Sequence, residues 1–212
     1  MKCDKKAMLL YGVTDRTWVG KMTLYEQVEA ALRNGMTCLQ LREKNLPEEQ
    51  FLEEAVKFAE LCRNYRVPFI INDNVDIAVK CGADGVHVGQ DDMNVSLVRE
   101  RVGDKMIIGV SVHNVEEAVK AVSGGADYLG IGAVFPTSTK TDANVMSTGV
   151  IREICNAVDV PTVAIGGINS SNIMKLSGSG VDGIAVVSAI FGAESPGNAA
   201  AELRRLSEKM VG

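Results

Sequence analysis

Apolar and polar positions along the 212 residues alternate between two patterns. Short runs, mostly apolar on both faces, recur at positions 8–13, 37–41, 68–71, 85–88, 106–110, 128–131, 161–165 and 183–187. Runs this short and this rich in Val, Ile and Leu predict strands covered on both sides. Between them lie amphipathic stretches. Thr23 and Glu26 have capping-box spacing ahead of Val28, Ala31 and Leu32. Pro47 stands at a first helical position before Phe51, Leu52, Ala55, Val56 and Ala59. Further helices are predicted over 74–81, 94–102, 114–122, 147–157, 170–176 and 195–210, most of them opened by Asn or Ser, with a short extra helix near Ala189–Phe191. Gly35, Gly82, Gly103 and Gly180 stand where helices stop.

Eight strand–helix units without a composition break predict either a (β/α)8 barrel or an open doubly wound sheet. The phrases NGMTCLQL, CGADGVHV, GGADYLGI and GSGVDGIAV repeat one Gly-turn-strand unit, which favours closure. The expectation is α/β: a compact TIM barrel, one domain over 1–212, near the lower limit of about 200 residues for this fold.

Composition narrows the function. Hydrophobic residues make up 46%, charged residues 23%, and the net charge is −5, which excludes a disordered chain and a basic nucleic-acid face. No apolar run approaches the roughly 18 residues of a membrane span, and the N-terminal residues lack a signal-peptide pattern. Five cysteines (Cys3, Cys38, Cys62, Cys81, Cys155) form no C-x-x-C pair. They read as reduced thiols of a cytoplasmic protein, acting as small buried hydrophobes, with a Cys nucleophile as the weaker alternative.

A barrel of this kind carries its site at the C-terminal ends of the strands. There the second strand offers Gln40, Arg42 and Lys44 on one face, with Leu39 and Leu41 turned to the helices. Two cations at a barrel mouth make an anion site, although a solvated loop would carry the same charges. The third strand ends in Asn72 and Asp73, the fourth in Gln90, Asp91 and Asp92, the fifth in Ser111 and His113. Asp73 and Asp92 suit an Mg²⁺ that also takes phosphate oxygens, or else serve as helix caps or surface acids. The sixth strand leads to Thr137, Ser138, Thr139 and Lys140, the seventh to Gly166 and Gly167, the eighth to Ser188. Glycines and loop amides after the last two strands suit a phosphate. His87 reads as a satisfied interior histidine. His113 fits a site role or a capping role, and Asp15 and Trp18 remain unassigned. No Cys, Ser–His or carboxylate nucleophile stands out.

Together the segments YGVTD (11–15), QLREK (40–44), FIINDNVDIAVKCGADGVHVGQDDM (69–93), IGVSVHN (108–114), ADYLGIGAVFPTSTK (126–140), VAIGGI (163–168) and GIAVVSAI (183–190) resemble the thiamine-phosphate synthase (thiamine-phosphate pyrophosphorylase) family, in its order and over nearly the whole chain. Ala133 stands where many members carry Pro. The resemblance implies a transferase on a (β/α)8 barrel, joining 4-amino-2-methyl-5-hydroxymethylpyrimidine diphosphate to a thiazole phosphate with Mg²⁺. It implies that Gln40, Leu41, Arg42, Glu43, Lys44, Asn72, Ser111 and Lys140 hold the pyrimidine diphosphate, with Lys140, Arg42, Lys44 and Ser111 acting in catalysis. Asp73 and Asp92 would hold Mg²⁺. Thr137, Ser138, Thr139, Gly167, Val187 and Ser188 would hold the thiazole phosphate, in its plain or 2-carboxylated form. The implied partners are these small molecules, with neither nucleic acid nor membrane, and a homo-oligomer is compatible with the sequence. Two rivals share the fold: a thiazole tautomerase and a non-catalytic phosphate-binding regulator. A tautomerase needs neither diphosphate nor metal, so Arg42, Lys44, Asp73, Asp92 and Lys140 argue against it.

Overall fold

The computed structural model describes residues 3–137 and 145–212. Every apolar run becomes a strand: β1 (Leu10–Val13), β2 (Cys38–Leu41), β3 (Phe69–Asn72), β4 (Gly85–Val88), β5 (Ile107–Val112), β6 (Tyr128–Gly132), β7 (Thr162–Ile165) and β8 (Gly183–Val186). They pair in parallel in chain order. β8 returns to β1 in register Leu10↔Ile184, Tyr11↔Ala185, Gly12↔Val186, which closes the barrel and removes the open-sheet alternative. Around it run α1 (Leu24–Arg33), α2 (Glu48–Tyr65), α3 (Val75–Cys81), α4 (Val95–Val102), α5 (Val115–Ser123), α6 (Thr148–Ala157), the one-turn α7 (Ser188–Phe191) and α8 (Pro196–Val211). No helix among the described residues is long and apolar enough to cross a membrane.

The strand period divides the core in two. Leu39, Leu41, Phe69, Ile71, Val86, Val88, Ile108, Val110, Leu129 and Ile131 pack outward against the helices. Tyr11, Val13, Cys38, Ile70, Ile107, Tyr128, Val163 and Ala185 fill the barrel, with Met8 against them. Alternation along β2 therefore sends Gln40 inward between Leu39 and Leu41.

Local signals set most helix ends. Thr23 Oγ1 accepts the Glu26 N–H at 3.2 Å and Glu26 Oε2 accepts the Thr23 N–H at 2.7 Å, a complete capping box. Asn74, Asn94, Asn114, Ser147 and Ser195 cap α3, α4, α5, α6 and α8 with their side chains. Two expectations are corrected. Pro47 is the residue preceding α2 rather than its first helical position. The helix expected over 170–176 is a single 3-10 turn, Ile173–Leu176. Asn169 Oδ1 takes the Ser171 N–H at 2.9 Å and Asn172 Oδ1 takes the Asn169 N–H at 2.9 Å, so side-chain bonds replace the first turn of an α-helix.

The repeated Gly-turn-strand phrase has a structural cause. Thr37, Asp84, Asp127 and Asp182 each precede an even-numbered strand. Their side-chain oxygens accept the N–H of Leu10, Phe69, Ile108 and Thr162 at 2.8, 2.9, 2.9 and 2.9 Å. Their own N–H groups donate back to the carbonyls of those same residues at 2.8, 2.9, 2.7 and 2.9 Å. Four reciprocal rings thus satisfy backbone groups at the floor of the barrel, one per pair of strands.

Candidate active site

A cavity of about 550 Å³ opens at the C-terminal ends of the strands and is lined by residues from all eight of them or the loops that follow. Beside it, between the loops after β1 and β2, lies a second cavity of about 380 Å³ lined by Asp15, Arg16, Arg42, Glu43 and Lys44. Arg42 lines both. Its main-chain N–H donates to Thr14 Oγ1 at 2.9 Å and its guanidinium reaches Asp15 Oδ2 at 3.4 Å, which gives Asp15 a partner the sequence did not reveal. Asp15 also caps the 3-10 turn Arg16–Trp18.

The QLREK segment does not act as a unit. Leu41 is buried in the outer shell, so its side chain is away from the mouth. Glu43 is turned to Arg16, whose Nε donates to its Oε2 at 2.9 Å, and the same guanidinium bonds Glu54. Burial raises the Glu43 carboxyl above the usual range and Arg16 opposes that rise. Glu43 therefore anchors the loop carrying Arg42 and Lys44. Lys44 lines the side cavity rather than the central one.

At the ends of β3 and β4 two carboxylates meet. Asp73 adopts a left-handed φ of 61°, donates its N–H to the His87 carbonyl at 2.8 Å, and accepts from Asn72 Nδ2 at 2.5 Å. Asp92 Oδ2 accepts the Gly89 N–H at 2.7 Å. Burial first, then a shared hydrogen bond with Asp92 and its charge, push the Asp73 carboxyl up to about 6. Among the described residues no group of three or more His, Cys, Asp or Glu converges, so this is a two-carboxylate site.

On the other side Gly167, Val187 and Ser188 line the cavity, which Thr137 also lines. Gly167 has a φ of 65°, and a β-carbon on it would lie 2.3 Å from the Pro136 carbonyl oxygen. Its lack of a side chain thus lets the loop after β6 close onto the loop after β7. Ser138, Thr139 and Lys140 lie outside the described residues.

His87 is the interior histidine expected, yet it is also part of the mouth. Its Nε2 lies 2.9 Å from Ser111 Oγ and its Nδ1 lies 2.8 Å from the Tyr128 hydroxyl. Burial pushes its pKa down to about 4, which keeps the ring neutral. The sequence showed no Ser–His nucleophile, and it also hid that the His87 and Ser111 side chains touch. The two residues are 24 apart in the chain but face inward on the paired strands β4 and β5. The inward parity of His87 and Ser111 was the signal available. His113 also lines the cavity, with Nδ1 held by Glu117 Oε2 at 2.9 Å. The five cysteines are free, and burial raises all their thiols, Cys3 to about 12. That agrees with inert small hydrophobes.

Fold and mouth together define a (β/α)8-barrel enzyme acting on small molecules. The family model described as thiamine monophosphate synthase matches residues 10–190. The thiamine-phosphate synthase of Clostridioides difficile is 50% identical over 190 residues, 90% of either chain, and that of Clostridium tetani is 46% identical over 92% of this chain and 93% of its own. The solved thiamine phosphate pyrophosphorylase of Pyrococcus furiosus superposes with a TM-score of 0.90 at 41% identity, covering 98% of this chain and 99% of that one. The chain belongs to the thiamine-phosphate synthase family, and its activity is that of a transferase.

Proposed function

We propose that the mouth joins 4-amino-2-methyl-5-hydroxymethylpyrimidine diphosphate to 4-methyl-5-(2-phosphoethyl)thiazole, plain or 2-carboxylated, giving thiamine phosphate and pyrophosphate, with the carboxyl group of the 2-carboxylated form leaving as CO₂. The observation that carries this reading is the division of the rim. Arg42 and the Asp73–Asp92 pair stand at the ends of β2, β3 and β4, whereas Gly167, Val187 and Ser188 stand across the barrel after β7 and β8. Two anionic substrates need two such sides.

On this reading Arg42 and Lys44 bind the diphosphate, with Lys140 joining them from the loop after β6. Asn72 holds both the substrate and the Asp73 carboxylate. The Gly167 loop and the Ser188 hydroxyl receive the thiazole phosphate, a role shared by Thr137, Ser138 and Thr139. The bond between the pyrimidine methylene and the diphosphate oxygen breaks first, and its electron pair leaves with the pyrophosphate. The aminopyrimidine spreads the remaining positive charge, and the thiazole nitrogen then supplies the pair for the new C–N bond. No protein nucleophile is consumed, so the chain's part is to hold the two reactants and offset charge on the leaving group.

Two hard carboxylates that already repel one another suit a divalent cation completing its shell with water and phosphate oxygens. Mg²⁺ held by Asp73 and Asp92 would supply further neutralisation of the departing pyrophosphate. The test is incubation with both substrates and Mg²⁺. The expected result is thiamine phosphate and pyrophosphate in equal amounts. Absence of either product would overturn the reading.

A further inference from the structure

We infer that Tyr11, Tyr128 and His87 are positioning residues, whose hydrogen-bond chain holds the Ser111 hydroxyl as a donor toward an acceptor on the pyrimidine substrate and prevents it from acting as a nucleophile. The identity of that substrate rests on the function proposed above. The direction of the chain does not.

The inferred direction runs outward from Gln40, the fixed donor at one end. Gln40 Nε2 can only donate, and it donates to the Tyr11 hydroxyl at 2.9 Å. In that direction Tyr11 gives its one proton to the Tyr128 hydroxyl 2.7 Å away. Tyr128 then gives its own single proton to His87 Nδ1 at 2.8 Å. That nitrogen is an acceptor, so the imidazole's N–H must sit on Nε2. Nε2 donates to Ser111 Oγ at 2.9 Å. The Ser111 proton has no place on His87 and is left for the cavity that Ser111 lines.

The chain crosses the barrel interior through β2, β1, β6, β4 and β5, joining residues as far as 117 apart in sequence. Tyr11, Tyr128, Gln40 and His87 are all buried, so each bond operates away from competing water. The consequence reverses the usual meaning of a Ser–His contact. A histidine already protonated on the nitrogen facing the serine cannot remove the serine's proton, so Ser111 is a fixed donor rather than an activated oxygen.

The tautomer can be read directly. His87 and His113 are the only two histidines, so protein labelled with ¹⁵N-histidine yields two rings, and His113→Gln identifies which is which. At neutral pH the expected spectrum has His87 protonated at Nε2 and bare at Nδ1. A proton on Nδ1 would overturn the inference.

The functional half is read by Tyr128→Phe, which removes the hydroxyl and keeps the ring. It should lower kcat/KM for the pyrimidine diphosphate by about tenfold, the scale of one buried hydrogen bond, and leave the KM for the thiazole phosphate within about twofold. In a Ser111→Ala background the same change should have no further effect. Equal losses in both backgrounds, or on both substrates, would mean a merely structural role and overturn the inference. If Tyr128→Phe does not fold, the tautomer measurement on the unaltered protein decides. Failure of that protein to make thiamine phosphate would strike the proposed function and leave the tautomer result standing.

Discussion

A β-carbon added to Gly109 would lie 2.1 Å from Tyr128 Cζ and 2.3 Å from the Tyr128 hydroxyl. The empty side of β5 at this level is the space in which Tyr128 meets His87. The same β-carbon would stand 2.4 Å from His87 Nδ1. Gly109→Ala therefore overpacks the barrel interior and should cost about 1–3 kcal/mol. Chemical denaturation gives that loss, and kcat/KM for the pyrimidine substrate should fall with it.

The rings on the barrel floor predict a separation of stability from activity. Asp84→Ala leaves the Phe69 N–H without its 2.9 Å acceptor at a buried position. The expected cost is about 1–3 kcal/mol in urea unfolding, with kcat per folded molecule unchanged. A large fall in kcat would tie the floor to the chemistry.

His87 makes stability depend on pH. In the unfolded chain the imidazole takes up a proton near pH 6.5, while the folded protein resists it down to about 4. Between those values the unfolded state binds more protons, so stability falls as pH falls, by about 3 kcal/mol across the window. Urea unfolding of the wild-type protein and of His87→Gln at pH 7, 5.5 and 4 isolates this contribution, which the variant should lack.

Asp92→Asn keeps an oxygen for the Gly89 N–H, bonded at 2.7 Å, and removes one charge from the carboxylate pair. The Mg²⁺ concentration giving half-maximal turnover should rise about tenfold or more, with little change in melting temperature. An unaltered Mg²⁺ dependence would remove Asp92 from the metal site.

Much of the barrel is written locally. Strand positions follow from apolar runs, and the caps at Thr23, Asn74, Asn94, Asn114, Ser147 and Ser195 act over two or three residues, where spacing is visible. The repeated glycine-turn phrase hinted at the floor rings, although their partners lie 15–27 residues away. The site was legible only in part, because a strand end shows which residue types gather there but not which way each side chain turns. Glu43 turns to Arg16, which also bonds Glu54, and Gly167 faces the Pro136 carbonyl, through packing between separate loops. The Tyr11–Tyr128–His87–Ser111 chain was hidden for the same reason. Each residue looks like ordinary strand interior until the barrel closes.

Crossed Michaelis constants read the division of the mouth into two anion sites. Arg42→Ala should raise the KM for the pyrimidine diphosphate about tenfold or more and leave that for the thiazole phosphate within about twofold. Gly167→Val, whose β-carbon would lie 2.3 Å from the Pro136 carbonyl oxygen and so force that loop away, should do the reverse. Parallel rises for both substrates in either variant would contradict two separate anion sites.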